Sequence, residues 1–221
     1  MLLRSIKHIG ILGITCATSA AAGPWLRDEG TGFLSFSSEL HGSTNVEGGI
    51  YAEYGLRPDI TLGGKINVEM GPLGIGDQEI LAFVRQPFGP KDKPWLAAYD
   101  LGLGYRRGNN TDETVAYIGV TVGRGFAWRG KNGWLTFDTS MEQPFGTASA
   151  LYKIDSTMGI SLHDHWKGMF QIFIAASEDD TDATLAPSVI WSPKNGKNSY
   201  QFGLELEEGR VSARLSLWRD F

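Results

Sequence analysis

The 221-residue chain has a single cysteine, Cys16, and it lies within the first 22 residues. A mature chain beginning at Gly23 would hold no disulfide, thiolate-bound zinc or iron–sulfur cluster. Long hydrophobic runs are equally scarce, since the longest, Ile9 to Ala17, falls well short of the roughly 20 residues a spanning helix needs. A multi-helix membrane protein is therefore excluded, and the 42% hydrophobic content excludes a disordered chain. No basic stripe is present: beyond residue 22 there are 18 basic against 25 acidic residues, so no nucleic-acid partner is expected. The chain also lacks a Gly-x-Ser-x-Gly elbow, a Gly-x-x-x-x-Gly-Lys-Ser/Thr loop and a His-Glu-x-x-His pair. The expectation is a non-enzyme without a metal or cofactor.

What is present begins with a leader. Arg4 and Lys7 precede the short apolar stretch, and Ala20, Ala21 and Ala22 precede Gly23, the layout of a cleaved export signal. Residues 1–22 are read as that signal and 23–221 as one domain. The 29 glycines and 11% aromatics favour a β-rich chain with many tight turns.

A period of two organises the rest. Ile60, Leu62, Ile66, Val68 and Met70 alternate with Thr61, Gly63, Lys65, Asn67 and Glu69. Tyr99, Leu101, Leu103 and Tyr105 alternate with Asp100, Gly102, Gly104 and Arg106. The pattern yields twelve segments near 31–40, 48–56, 60–70, 79–87, 95–106, 114–125, 134–142, 149–162, 166–176, 184–192, 199–207 and 211–221, with the first, fourth, ninth and tenth less clean. Turn signals between them include Gly130-Lys131-Asn132-Gly133 and Lys194-Asn195-Gly196. Most segments reach the 9–11 residues of a tilted membrane strand.

Alternation alone also suits a soluble sandwich. In the cleaner segments, however, charge collects on the face opposite the aromatics and aliphatics, which suits lipid outside and a polar lumen. Val211, Ala213, Leu215, Leu217 and the terminal Phe221 resemble the C-terminal strand by which outer-membrane barrels are recognised for assembly, although Arg219 departs from that pattern. The fold expected is all-β, a transmembrane antiparallel up-and-down β-barrel of about 12 strands in the cell outer membrane of a Gram-negative envelope. Its partners would be outer-membrane lipid, lipopolysaccharide and the barrel-assembly machinery.

Strand parity places Trp25, Trp95, Trp128, Trp134, Trp166, Trp191 and Trp218 on one rim, as an interfacial girdle. It also sorts the turns, putting Arg57, Lys131, Lys167 and Lys194 on that rim and Glu47, Glu79, Asp112, Glu178, Asp179, Asp180 and Asp182 on the other. The last three could bridge divalent ions to lipopolysaccharide, though without a calcium-loop spacing. Facing the lumen are Glu53, Lys65, Glu69, Asp100, Arg106, Asp138, Lys153, Asp155 and Arg214, the candidate lining residues. Their company includes Arg85, Glu142 and Glu205, and acids outnumber bases ten to five in the full lumen set.

Three histidines follow the leader. His41 with Ser43 could serve as base and nucleophile of an outer-membrane lipid hydrolase, and His163-Asp164-His165 could chelate a metal, although a solvated turn is the simpler reading. Tyr51-Ala52-Glu53-Tyr54-Gly55-Leu56, a turn, and Thr61-Leu62-Gly63 resemble the hairpin of the MetA-pathway phenol-degradation-like outer-membrane family. That resemblance implies a barrel passing or binding small, often hydrophobic compounds. The function expected is a passive channel or facilitator for a small-molecule solute, weakly cation-selective. A non-conducting structural or surface-interaction barrel is the alternative, marked by a lumen closed by ion pairs.

Overall fold

A computed structural model describes residues 23–221 apart from 42–44, 73, 91, 109–111, 147–148, 179 and 195. The leader lies outside the described residues. Twelve antiparallel strands form a closed barrel: β1 (Gly32–His41), β2 (Asn45–Arg57), β3 (Ile60–Gly71), β4 (Gly74–Phe88), β5 (Leu96–Arg107) and β6 (Asp112–Trp128) make the first half. The second half is β7 (Lys131–Pro144), β8 (Leu151–His163), β9 (Trp166–Ala176), β10 (Thr181–Trp191), β11 (Asn198–Glu207) and β12 (Arg210–Asp220). Each strand pairs with its sequence neighbours, and β1 closes the ring on β12, with Phe33 opposite Asp220 and His41 opposite Ser212. A closed ring, in place of two facing sheets, rules out the sandwich.

Strand count agrees with the sequence periodicity, but several strands run further into their turns. The segment Gly130-Lys131-Asn132-Gly133 does not turn as a unit, because Lys131 pairs with Trp128 and Gly133 with Phe126. The turn is Arg129-Gly130, at φ 49° and 75°, and Glu208-Gly209 repeats it at 43° and 78°. Two consecutive left-handed residues give the tight hairpin turn whose twist matches the flanking strands.

Alternation sorts the side chains as the pattern requires. Phe36, Ile50, Leu62, Ile66, Ile80, Leu101, Leu103, Ile118, Phe137, Ile154, Phe202 and Leu215 stand exposed on the outer wall. An apolar belt reaching around the ring far exceeds the patches that soluble monomers expose, and hydrocarbon is the solvent it fits. Glu53, Arg85, Asp100, Thr121, Thr136, Glu142 and Glu205 are buried inside.

The inner wall is not uniformly polar, which explains the unclean strands. Phe33 on β1, Leu81 and Phe83 on β4, Met169 on β9 and Ile190 on β10 point inward and are buried. Their size is accommodated by glycine on neighbouring strands. Trp134 lies opposite Gly159, and a methyl group on that glycine would collide with the indole; Phe83 lies over Gly63 in the same way. Phe221 seats its ring against Gly32, and the two residues exchange backbone hydrogen bonds of 2.8 and 2.9 Å.

Candidate functional site

The lumen is filled in layers. At the end where β1 begins, Trp134, Met169 and Ile190 form a buried apolar cluster onto which Trp25 and Trp218 pack. These three tryptophans therefore leave the expected girdle, because their parity or their place in the entering segment turns them inward. Trp95, Trp128, Trp166 and Trp191 remain exposed on the outer wall, with the Arg124 guanidinium 5.5 Å from the Trp95 ring. Lys167 likewise leaves the basic rim and stands 5.9 Å over the Trp134 ring.

The segment before β1 enters this layer. Pro24 is fully buried, Arg27 donates from its backbone N–H to Thr61 Oγ1 at 3.0 Å, and the Gly23 carbonyl accepts from Arg85 Nη1 at 3.0 Å. Sequence periodicity could not show this, since residues 23–30 belong to no alternating segment.

Above it, Arg85 is locked from three directions. Its Nε and Nη2 grip both oxygens of Asp100 at 2.8 and 2.9 Å, and Nη1 reaches Glu53 Oε1 at 2.6 Å. Glu53 also accepts from Arg27 Nε at 2.7 Å and from the Tyr51 hydroxyl. A bidentate guanidinium–carboxylate pair with its remaining donors occupied is the form in which buried charge is tolerated.

Nearer the other rim a second network gathers Lys65, Glu79, Arg106, Glu142 and Lys153. Fully buried Glu142 accepts from Lys65 at 3.0 Å, from Lys153 at 2.9 Å and from Arg106. Lys65 also meets Glu79 at 2.6 Å, so Glu79 is a lumen residue and not, as parity of the turns suggested, a rim acid. Arg214 binds Glu205 at 2.6 Å and Glu39 at 3.5 Å on a third stretch of wall.

Between the networks is a cavity of about 380 Å³. One wall is aromatic: Trp218, Phe33, Tyr51, Phe83 and Tyr117 follow one another at ring separations of 6.0–6.3 Å. The facing wall carries Asp138 and Asp155, directly opposite each other on β7 and β8, with Thr121, Thr157 and Gln171. Among the described residues neither aspartate has a cationic nitrogen within ion-pair distance. A second cavity of about 490 Å³ opens at the far rim beside Glu69, Asp77, Glu79, Arg106 and Lys153.

All nine candidate lining residues thus point inward. Lys65, Asp100, Asp138, Lys153, Asp155 and Arg214 border the first cavity, Glu69, Arg106 and Lys153 the second, and Glu53 sits in the Arg85 network. Sequence reading missed the aromatic arc, because isolated inward aromatics look like breaks in the pattern. Ser43 and Asp179 lie outside the described residues, and His41 Nδ1 is bonded to Ser212 Oγ at 2.8 Å. His165 Nδ1 is bonded to the Ser192 carbonyl at 3.1 Å, as a turn residue would be.

No family model matches the chain, and no curated protein matches its sequence. Solved structures do. The chain is similar to the KdgM porin (6% identity, TM-score 0.59, 86% of this chain and 99% of that one). It is also similar to the NanC porin (10%, 0.57, 84% and 98%). A third match is the COG4313 outer membrane channel from Pseudomonas putida F1 (12%, 0.55, 89% and 97%). This chain therefore has the closed antiparallel barrel fold of outer-membrane porins.

Proposed function

We propose that the protein resides in the outer membrane as a passive facilitator for small amphipathic solutes, with a weak preference for cations and no chemical step. The observation that carries this reading is the 380 Å³ cavity, with an aromatic arc on one side and the unpaired Asp138–Asp155 couple on the other. A ring can lie against the arc while a polar or cationic end meets the carboxylates. The KdgM porin has been solved in complex with disordered oligogalacturonate, which supports passage of small molecules through such a barrel. The hairpin resemblance to the MetA-pathway phenol-degradation-like family agrees with a partly hydrophobic solute.

Twelve strands fall between barrels filled by their side chains and those holding a water channel. The two ion-pair networks narrow this lumen further, so the pathway is a chain of small compartments and conductance should be low. A non-conducting structural barrel, the second reading, requires that those same networks close the lumen completely. Planar-bilayer recording of folded, heat-modifiable protein under a salt gradient decides. Small discrete steps with a cation-sided reversal potential are expected. An anion-sided potential defeats the selectivity, and silence from folded protein defeats the channel.

A further inference from the structure

At the rim opposite the tryptophan layer, three ligand-type side chains converge. Glu39 and His41 stand two apart on the inner face of β1, and Glu47 lies directly opposite Glu39 on β2. His41 Nε2 is 3.7 Å from Glu39 Oε2 and 3.9 Å from Glu47 Oε2, and one donor atom from each residue falls within 4.8 Å of the others. Around a tetrahedral zinc ion, with bonds of about 2.0–2.2 Å, neighbouring ligand atoms lie roughly 3.3–3.5 Å apart. The two histidine distances need a few tenths of an ångström of side-chain movement, and closing the carboxylates from within 4.8 Å needs about 1 Å more, within the reach of a glutamate rotamer adjustment.

The imidazole is already oriented. Ser212 is buried on β12, and its Oγ holds His41 Nδ1 at 2.8 Å. When Nδ1–H donates to that hydroxyl, the Nε2 lone pair faces the carboxylates, the outer-partner arrangement that fixes metal-bound histidines.

The local charge asks for a cation. Glu39 and Glu205 share the Arg214 guanidinium, 3.5 and 2.6 Å from its Nη1, so their carboxylates lie close together and one positive charge serves both. Glu39 also faces Glu47 across the ladder, and like charges directly opposite destabilise a sheet. Among the described residues Arg214 is the one Lys or Arg within ion-pair distance of Glu205 and Glu39, and Glu47 has none.

We infer that Glu39, His41 and Glu47 form a binding site for a divalent first-row metal ion of the zinc class, with Ser212 as the positioning residue. Imidazole with two carboxylates suits zinc or cobalt better than calcium, which takes six or more oxygens. The ion would join β1 and β2 at the point where His41 touches β12.

The test is cobalt(II) and zinc(II) titration of the folded protein purified from outer membranes, with isothermal calorimetry and the visible absorption of cobalt as readouts. One equivalent should bind, with the intense visible bands of a low-coordinate nitrogen–oxygen site, and thermal stability should rise with metal concentration. His41→Gln and Glu47→Gln should abolish binding, and Ser212→Ala should weaken it about tenfold while leaving heat-modifiability intact. His163→Ala/His165→Ala should leave binding unchanged. No stoichiometric binding, or binding that survives in His41→Gln/Glu47→Gln, would overturn the site and leave a shared proton as the partner of the glutamates.

Discussion

Lys65 on β3 and Glu142 on β7 meet at 3.0 Å although four strand positions separate them around a twelve-strand ring. That contact cuts a chord across a third of the circumference. Glu142 is the hub of its network, and removing it leaves Lys65 and Arg106 with Glu79 as their remaining partner and Lys153 with no ion pair among the described residues. Glu142→Gln should cost about 2–3 kcal/mol, below the 3–5 kcal/mol of a dry pair because the three cations keep side-chain exposures of 20%, 28% and 26%. Urea unfolding in detergent measures the loss. The reversal potential of Glu142→Gln should move toward anions.

Among the described residues Trp25 is held by packing on the Trp134 cluster, while Gly23 and Arg27 nearby are hydrogen-bonded to the wall. Trp25→Ala should therefore loosen the layer that blocks the β1 end without unfolding the barrel. Single-channel conductance should rise severalfold, with a stability loss of about 2 kcal/mol, less than for a fully buried tryptophan. Unchanged conductance would show that the narrowest point lies elsewhere.

Gly159→Ala places a methyl group into the Trp134 indole, which is itself wedged against Met169 and Ile190. Overpacking of this kind costs about 1–3 kcal/mol. Gly48→Ala is the matched control, since the nearest atom is a carbonyl oxygen 3.9 Å away. Thermal melts should fall for the first variant and stay level for the second.

The solute class can be read from three small probes. Phenethylamine should slow the ion current at lower concentration than 2-phenylethanol, and phenylacetate should have the weakest effect. Asp138→Asn/Asp155→Asn should erase the advantage of the amine, while Tyr51→Leu should weaken all three. An advantage for phenylacetate would remove the acidic wall from the recognition.

Deleting Phe221 removes two backbone hydrogen bonds to Gly32 and the ring that covers it. The heat-modifiable fraction in membranes should drop. Phe221→Tyr, which keeps ring and backbone, should restore it.

The sequence made the wall legible and the contents only in part. Ile60 to Met70 alternates without a fault, so its lipid and lumen faces could be assigned by parity. Phe33, Leu81, Phe83 and Met169 break that rule because an inward residue can be apolar wherever it packs on others, and periodicity carries no information about neighbours across the ring. Trp134 and Trp218 face the lumen and not the expected girdle for this reason, since an aromatic at a strand end suits both an interface and a plug. Lys65 and Glu142 could each be placed on the lumen face. Their meeting depends on barrel diameter and strand stagger, which no single segment encodes.

Every strand but one pair is joined to its partner by a short connection, none longer than the seven residues between β4 and β5. Eleven hairpins can thus form from local contacts, each closing at little entropic cost. The β1–β12 seam alone brings together residues nearly 190 positions apart, such as Phe33 and Asp220, at a loop-closure cost of about 4–5 kcal/mol. Insertion would end with that one late, expensive event, and a barrel under stress would split there first.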